Sequence, residues 1–227
     1  MVDAFTLPDS HALGDLATYV GRAGRVEDGS VRLIAVGGVL AVYVAVIYPA
    51  GLLDESPTIL GLRTFAILEK DAFDVVVPIA SLLVRLERAT DDEVTTVNLP
   101  MRVNTVTWAA ISPPRGGWAA MERVDVDVLD RVARAGIDEI AATVPASGTG
   151  EQIVHRVRTE VWGRPIRSAP HIPAGAGFAA LALGFIVPNS ADPTDATAAV
   201  YETGPWTRLS TRRGHVLIKR KAWSLAR

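Results

Sequence analysis

Residues 33–53 read LIAVGGVLAVYVAVIYPAGLL, a run of 21 positions without a charged side chain. The length would suit a membrane-spanning helix, but valine, isoleucine and tyrosine dominate, and the Gly37–Gly38 pair and Pro49 interrupt the run. β-branched residues between glycine breaks are typical of strands. The run therefore predicts two strands, 31–36 and 39–47, or one strand bulged at the glycines. It predicts a sheet covered on both faces and no membrane span.

The flanking sequence predicts helices packed on this sheet. Asp9 is a good N-cap for an amphipathic helix that ends near Gly24. Residues 59–68 and 73–77 have the composition of strands, and a second amphipathic helix follows them. We therefore expect residues 1–90 to form one sheet-and-helix unit.

A polar, acidic stretch follows this unit, and residues 95–227 are predicted to form a second one. Its predicted helices cover residues 129–144 and 153–161, and its predicted strands cover residues 103–111, 198–202, 206–211 and 215–219. Residues 176–185 fit either a helix or a lead into a strand. The predicted fold class is α+β, with largely antiparallel sheets and helices packed on them.

Composition narrows the chemistry that the chain can perform. None of its 227 residues is cysteine, which excludes disulfides, thiolate catalysis and metal sites built on sulfur. None of its four histidines has the spacing of a zinc motif, and no serine lies in a G-x-S-x-G sequence. We therefore predict no metal and no cofactor. The first residues lack the features of a signal peptide, so a cytoplasmic location is predicted.

One glycine pattern resembles a nucleotide-binding loop. Residues 175–180 read GAGFAA and match the G-x-G-x-x-A form of a dinucleotide loop. Such a loop must follow a central parallel strand, whereas Pro170 and Pro173 precede this one and lack the amide donors of a strand. The alternative, the start of a helix rich in alanine and glycine, is favoured.

Three stretches that combine tryptophan with arginine are the predicted binding surface. They read PPRGGW at 113–118, WGRP at 162–165 and GPWTR at 204–208. Loops often carry binding groups, and these residue types dominate interface hot spots. Converging loops would bind an anionic or aromatic ligand, or a peptide; alternatively, each tryptophan fills a core edge beside an exposed arginine. The site residues predicted here are Arg115, Trp118, Trp162, Arg164, Trp206 and Arg208.

The C-terminal segment is basic. Residues 201–227 hold seven Arg or Lys and a single acid, Glu202. Arg212 and Arg213 are predicted to turn between two strands, and together with His215 they complete the predicted site. This hairpin could bind a polyanion, dock on the acidic remainder of the chain or of a neighbour, or remain solvated.

The tryptophan–arginine stretches also carry a resemblance. Residues 111–118, 160–165 and 204–211 are similar to those of a family of uncharacterised actinobacterial proteins, and the similarity extends over most of the chain. The resemblance implies a bacterial host and a cytosolic setting. It implies no activity and no ligand.

The leading hypothesis is a non-catalytic, cytosolic binding or assembly protein. Its partner would be a protein or a second copy of the chain. One alternative is an enzyme that holds an anionic small molecule with Arg115, Arg164 and Arg208 and moves a proton with His215 or Glu122. The other is nucleic-acid binding through the basic hairpin, which is not favoured.

Overall fold

The computed structural model describes residues 4–27, 29–49, 51, 54, 56–103, 106–110, 112–144 and 150–219. These residues form an α+β fold with mostly antiparallel sheets, which confirms the predicted class. They group into two compact units, Met1–Val46 with Gly61–Ser112 and Ile47–Leu60 with Pro113–Arg227. The bounds of these units differ from the predicted division into residues 1–90 and 95–227, and that division remains a prediction.

The helices within the described residues are α1 (Ser10–Val26), α2 (Ile79–Asp91), α3 (Val126–Thr143), α4 (Glu151–Gly163) and α5 (Ala174–Ala182). The strands are β1 (Ala4–Thr6), β2 (Ser30–Val36), β3 (Val39–Ile47), β4 (Thr58–Ala66), β5 (Phe73–Pro78), β6 (Thr96–Asn98), β7 (Ala119–Ala120), β8 (Val124–Asp125), β9 (Pro165–Ile166), β10 (Ala169–Pro173), β11 (Thr197–Thr203), β12 (Trp206–Thr211) and β13 (Gly214–Lys219). No described helix has the length and apolar character that a membrane span needs.

The sheet of the first unit has the strand order β5-β2-β3-β4. Its register aligns buried side chains across neighbouring strands, as in the row formed by Val75, Leu33 and Val42. Burial alternates along β2, so one face carries the core while Arg32 and Ile34 on the other are half-buried. The second face of β2 is therefore partly covered, where the sequence predicts coverage of both faces. Uncharged residues such as Ile34 also occur at partly exposed positions, so an uncharged run does not by itself indicate that both faces of a strand are fully buried.

The glycine pair in the uncharged run forms a turn. Gly37 and Gly38 have φ values of 60° and 84° and join β2 to β3, whose end residues Val36 and Val39 are paired. A two-residue hairpin turn of this kind needs positive φ at both positions. Of the two predicted alternatives, the pair of strands is confirmed and the bulged single strand is wrong.

Two helices supply the other half of the first unit's core. The buried side chains of α1 include Leu16 and Tyr19, and those of α2 include Leu82. The Tyr19 hydroxyl donates a hydrogen bond to the carbonyl oxygen of Val42 at 3.4 Å, which ties α1 to β3. The helices therefore cover the buried face of the sheet.

Arg32 joins three segments of the first unit. Its guanidinium donates to both carboxylate oxygens of Asp74 at 2.8 and 2.6 Å. It also donates to the carbonyl oxygen of Ala109 at 2.6 Å and to the hydroxyl of Ser112 at 2.9 Å. Thr107–Ala110 is a 3-10 helix, so the strand predicted at 103–111 is wrong there. The long-range hydrogen bonds of Arg32 therefore outweigh the local β propensity of this segment.

The second unit combines the strand order β4-β13-β12-β11-β7 with α3, α4 and α5, and β8 also pairs with β11. The GAGFAA pattern starts α5, as favoured from the sequence. A Cβ on Gly175 would lie 2.6 Å from Cδ1 of Ile47, and one on Gly177 would lie 2.7 Å from the carbonyl oxygen of Leu129. These glycines permit close packing of the helix rather than cradling a phosphate.

Candidate functional site

The strands β11, β12 and β13 bring four polar side chains to one face of the second unit. Tyr201 of β11 lies opposite Arg208 of β12, and Ser210 of β12 lies opposite His215 of β13. Alternate residues of a strand point to the same face, so these side chains are neighbours, whereas Leu209 is buried on the opposite face. The hairpin register therefore decides what surrounds Arg208.

The segment before β7 folds over this face. The indole nitrogen of Trp118 donates to the carbonyl oxygen of Pro114 at 3.2 Å, which closes the loop on itself. Gly117 has a φ of 77°, a conformation that costs glycine little. The loop thereby places the ring of Trp118 over Arg208.

Arg208 is held between two aromatic rings. Its guanidinium carbon lies 4.6 Å from the ring centroid of Trp118 and 4.6 Å from that of Tyr201. Each ring presents its negative face to the cation, a contact worth about 0.5–2 kcal/mol. We refer to these three residues as the Trp118–Arg208–Tyr201 stack.

The cation in this stack has no carboxylate partner among the described residues. Nε of Arg208 is buried and has no hydrogen-bond partner within the part of the chain that the structure describes. Burial lowers the pKa of Arg208, and interaction with Tyr201 raises it in part. A guanidinium stays charged even so. The stack therefore presents a half-buried positive charge that the described part of the fold leaves uncompensated.

His215 is the nearest titratable neighbour of this charge on β13. Its Nδ1 atom lies 2.9 Å from the hydroxyl oxygen of Ser210. Burial lowers the pKa of His215, and the positive charge of Arg208 lowers it further. The imidazole is thus mostly neutral at neutral pH, and Arg208 is the charged member of these four side chains.

Three of the other predicted arginines, Arg164, Arg212 and Arg213, face carboxylates within the second unit. Arg164 donates to Glu139 at 2.7 Å and to Glu160 at 3.0 Å. Arg212 pairs with Asp192, and Arg213 lies 4.0 Å from Asp195. The turn of the basic hairpin thus docks on an acidic loop of the same chain.

The remaining predicted residues differ in exposure. Trp162 is 2% exposed and stacks on Phe178 with ring centroids 4.6 Å apart. Trp206 is 4% exposed, whereas Arg115 is exposed. Of the three predicted stretches, the structure joins the first and third, through Trp118 and Arg208.

Tyr201 was not among the predicted site residues, because it lies outside the three stretches that combine tryptophan with arginine. The signal that could have revealed it is the Gly204–Pro205 turn. Counting residues outward from that turn pairs Thr203 with Trp206 and then Tyr201 with Arg208. Cross-strand neighbours of a predicted hairpin can be read in this way.

Two domain-family models divide the chain between them. Residues 1–109 match the model described as Domain of unknown function (DUF8010), and residues 113–223 match the model described as Domain of unknown function (DUF8185). Both models describe domains of unknown function. This confirms the resemblance to an uncharacterised family, while the actinobacterial origin stays a prediction. No curated protein matches the chain.

Solved structures of bacterial sliding clamps are similar to the whole chain. The DNA polymerase sliding clamp of Caulobacter crescentus has a TM-score of 0.51 at 12% identity, covering 99% of this chain and 67% of the clamp chain. A putative DNA polymerase III β subunit of Eubacterium rectale has a TM-score of 0.52 at 10% identity, covering 100% and 67%. The chain therefore spans about two thirds of the length of these clamp chains. At such identities the likeness shows a shared fold.

Proposed function

We propose that the chain is a non-catalytic, cytosolic binding protein that holds a protein partner through the Trp118–Arg208–Tyr201 stack. The observation that carries the proposal is the contrast between Arg208 and its neighbours in the second unit. Arg164 and Arg212 bind carboxylates of the same chain, whereas Arg208 lies against two rings and pairs with no carboxylate of the described residues. A partner that supplies an anion would compensate this charge.

The composition of the stack favours a protein partner. Tryptophan, tyrosine and arginine are the residue types that contribute most to interface hot spots. The two rings also hold the guanidinium in one orientation, so little side-chain freedom is lost on binding. Of the structures that share this fold, one is named a DNA polymerase sliding clamp and another a putative DNA polymerase III β subunit, which supports a role in assembly rather than in chemistry.

The distribution of charge gives less support to nucleic acid. The described helices contain eight arginines and nine Asp or Glu residues in their sequences, so their summed charge is close to zero. Arg212 and Arg213 of the hairpin face Asp192 and Asp195. A surface that follows phosphates needs uncompensated cations.

The predicted substrate site of the enzyme alternative receives less support from the structure. It requires Arg115, Arg164 and Arg208 to hold one anion together, but Arg164 binds Glu139 and Glu160. The chain would have to break two ion pairs to free this group. Binding through Arg208 alone requires no such rearrangement.

The test is partner capture with matched variants. Tagged wild-type chain, Trp118→Ala, Arg208→Gln and Arg156→Ala would be crosslinked in cells of the native host, and captured proteins would be quantified by mass spectrometry. Arg156 is an exposed arginine of α4, so its variant controls for loss of a surface charge. We expect wild type and Arg156→Ala to retain a protein that the other two lose, with melting temperatures unchanged within a few degrees. Equal capture by all four would contradict the proposal.

A further inference from the structure

We infer that the Trp118–Arg208–Tyr201 stack receives an acidic peptide segment of a partner protein, with a carboxylate on Arg208 and an apolar side chain beside Trp118. This inference rests on the proposed function and specifies the chemistry of the partner. It follows from which parts of the guanidinium are still accessible. It also follows from the residues that surround the stack.

The geometry leaves one direction of approach to Arg208. The ring of Trp118 covers one side of the guanidinium and that of Tyr201 contacts it as well, each at 4.6 Å. Nε is buried. We therefore place the ligand at the two terminal nitrogens, in the plane of the guanidinium. A planar carboxylate accepts two parallel hydrogen bonds from this edge.

The local charge favours a carboxylate over a phosphate. His215 is held neutral beside Arg208, so the guanidinium is the one positive charge within the stack itself. The other basic residue of this face, Lys219, pairs with Trp206 and lies two residue pairs further along the hairpin. Phosphorylated segments are bound by clusters of arginines, because their charge approaches −2 at neutral pH. A carboxylate carries one negative charge and matches the single guanidinium. Glu202, the adjacent acid of β11, accepts a hydrogen bond from Thr207 on the opposite face and leaves Arg208 available.

The surroundings of the stack suit an apolar residue next to the acid. Ala120 of β7 is exposed and pairs with Tyr201 of β11, so its methyl group lies on the same face as the stack. With the ring of Trp118 it gives a low apolar surface beside Arg208 for an aliphatic or aromatic side chain. An isolated acid would leave this surface unused.

Selection from random peptides tests the inference without a known partner. A phage-displayed peptide library would be selected in parallel on wild type, Arg208→Lys, Arg208→Gln and the control Arg156→Ala. We expect wild type and the control to enrich Asp or Glu next to an aliphatic or aromatic residue, and both Arg208 variants to lose this enrichment. Lysine keeps the charge but lacks the planar fork, so its failure would assign the binding to the guanidinium. Enrichment without acids, or equal enrichment on Arg208→Gln, would overturn the inference.

The affinity of the selected peptide and of its variants then shows whether the site prefers a carboxylate or a phosphate. Fluorescence anisotropy would compare it with versions in which the acid is replaced by its amide or by phosphoserine. We expect the amide version to bind at least about tenfold more weakly, which corresponds to about 1.4 kcal/mol. Tighter binding of the phosphoserine version would overturn the assignment to a carboxylate.

Two further outcomes separate this inference from the proposed function. If host proteins are captured through Trp118 and Arg208 but the selection yields no acidic peptides, the inference fails and the proposed function stands. If sedimentation shows self-association that Arg208→Gln abolishes, the occupant is a second copy and not a partner protein. If the wild-type chain neither captures a host protein nor selects acidic peptides, the inference and the proposed function are both contradicted.

Discussion

The six-membered ring of Trp162 fills the space above Gly136 where any other residue would place its Cβ atom. A Cβ built on Gly136 would lie 2.3 Å from Cζ3 of Trp162, far inside van der Waals contact. Trp162 is 2% exposed and stacks on Phe178 of α5, so its ring cannot move aside freely. This contact joins α3, α4 and α5 within the second unit.

We therefore expect Gly136→Ala to destabilise the protein despite the better helix propensity of alanine. The propensity gain is about 1 kcal/mol, whereas forcing a methyl group into a packed core costs about 1–3 kcal/mol and the overlap here is severe. Urea denaturation would measure the change. Gly14→Ala in α1 is the matched control, because nothing lies within 4 Å of its Cβ position. That variant should be neutral or stabilised; a stabilised Gly136→Ala would contradict the packing described.

Arg32→Ala should destabilise the first unit by about 1–3 kcal/mol, because it removes hydrogen bonds from a charged donor whose side chain is only 15% exposed. The carbonyl oxygen of Ala109 would lose a donor at 2.6 Å. Arg32→Lys should recover only part of the loss, since an ammonium cannot bond both Asp74 oxygens and Ala109 in the same geometry. Urea denaturation would measure both variants. The exposed pair Arg134–Asp130 provides the control, and Arg134→Ala should change stability within error.

The docked turn of the basic hairpin should release in acid. Asp192 has its pKa lowered to about 2, mainly by hydrogen bonds from Thr194 and then by Arg212. Because the folded-state pKa is lowered, this carboxylate contributes stability above its usual pKa and loses that contribution as the pH falls toward 2. Side-chain carboxyl NMR resonances would follow the titration. Arg212→Ala should move the midpoint upward, and an unchanged midpoint would contradict the pairing.

The site was only partly predictable from sequence. The strands at 206–211 and 215–219 and the turn at Arg212 and Arg213 were predicted, and with them the hairpin of β12 and β13 that carries Arg208. The neutralised arginines were not predictable, because Arg164 meets Glu139 across 25 residues through the packing of α3 against α4. Local patterns report periodicity and turns, whereas the partner of a charge depends on tertiary contacts.

The same limit explains the error at residues 103–111. Valine and threonine there have high β propensity, but Thr107–Ala110 is a 3-10 helix held through Ala109 by Arg32, 77 residues earlier. Propensity is a weak guide where a distant side chain binds the backbone. The strands with several cross-strand neighbours were predicted closely, as β12 illustrates at Trp206–Thr211.

Binding of an acidic peptide at Arg208 should be coupled to protonation of His215. Burial and the charge of Arg208 lower the pKa of His215 from its ordinary value of 6.5. A carboxylate on Arg208 would offset the second of these causes and raise the pKa of His215 in the complex. The complex would then bind more protons than the free chain. Affinity should consequently increase as the pH falls through the range just below 6.5.

Calorimetry of the selected peptide, in buffers that differ in ionisation enthalpy, would measure this proton uptake directly. His215→Gln should abolish the uptake and flatten the pH dependence, while leaving affinity at high pH close to wild type, because the histidine is neutral there. His11→Gln is the control: His11 is exposed in the first turn of α1, in the other unit. Proton uptake that persists in His215→Gln would show that another group responds to the ligand, and Arg208 would then not be acting through its β13 neighbour.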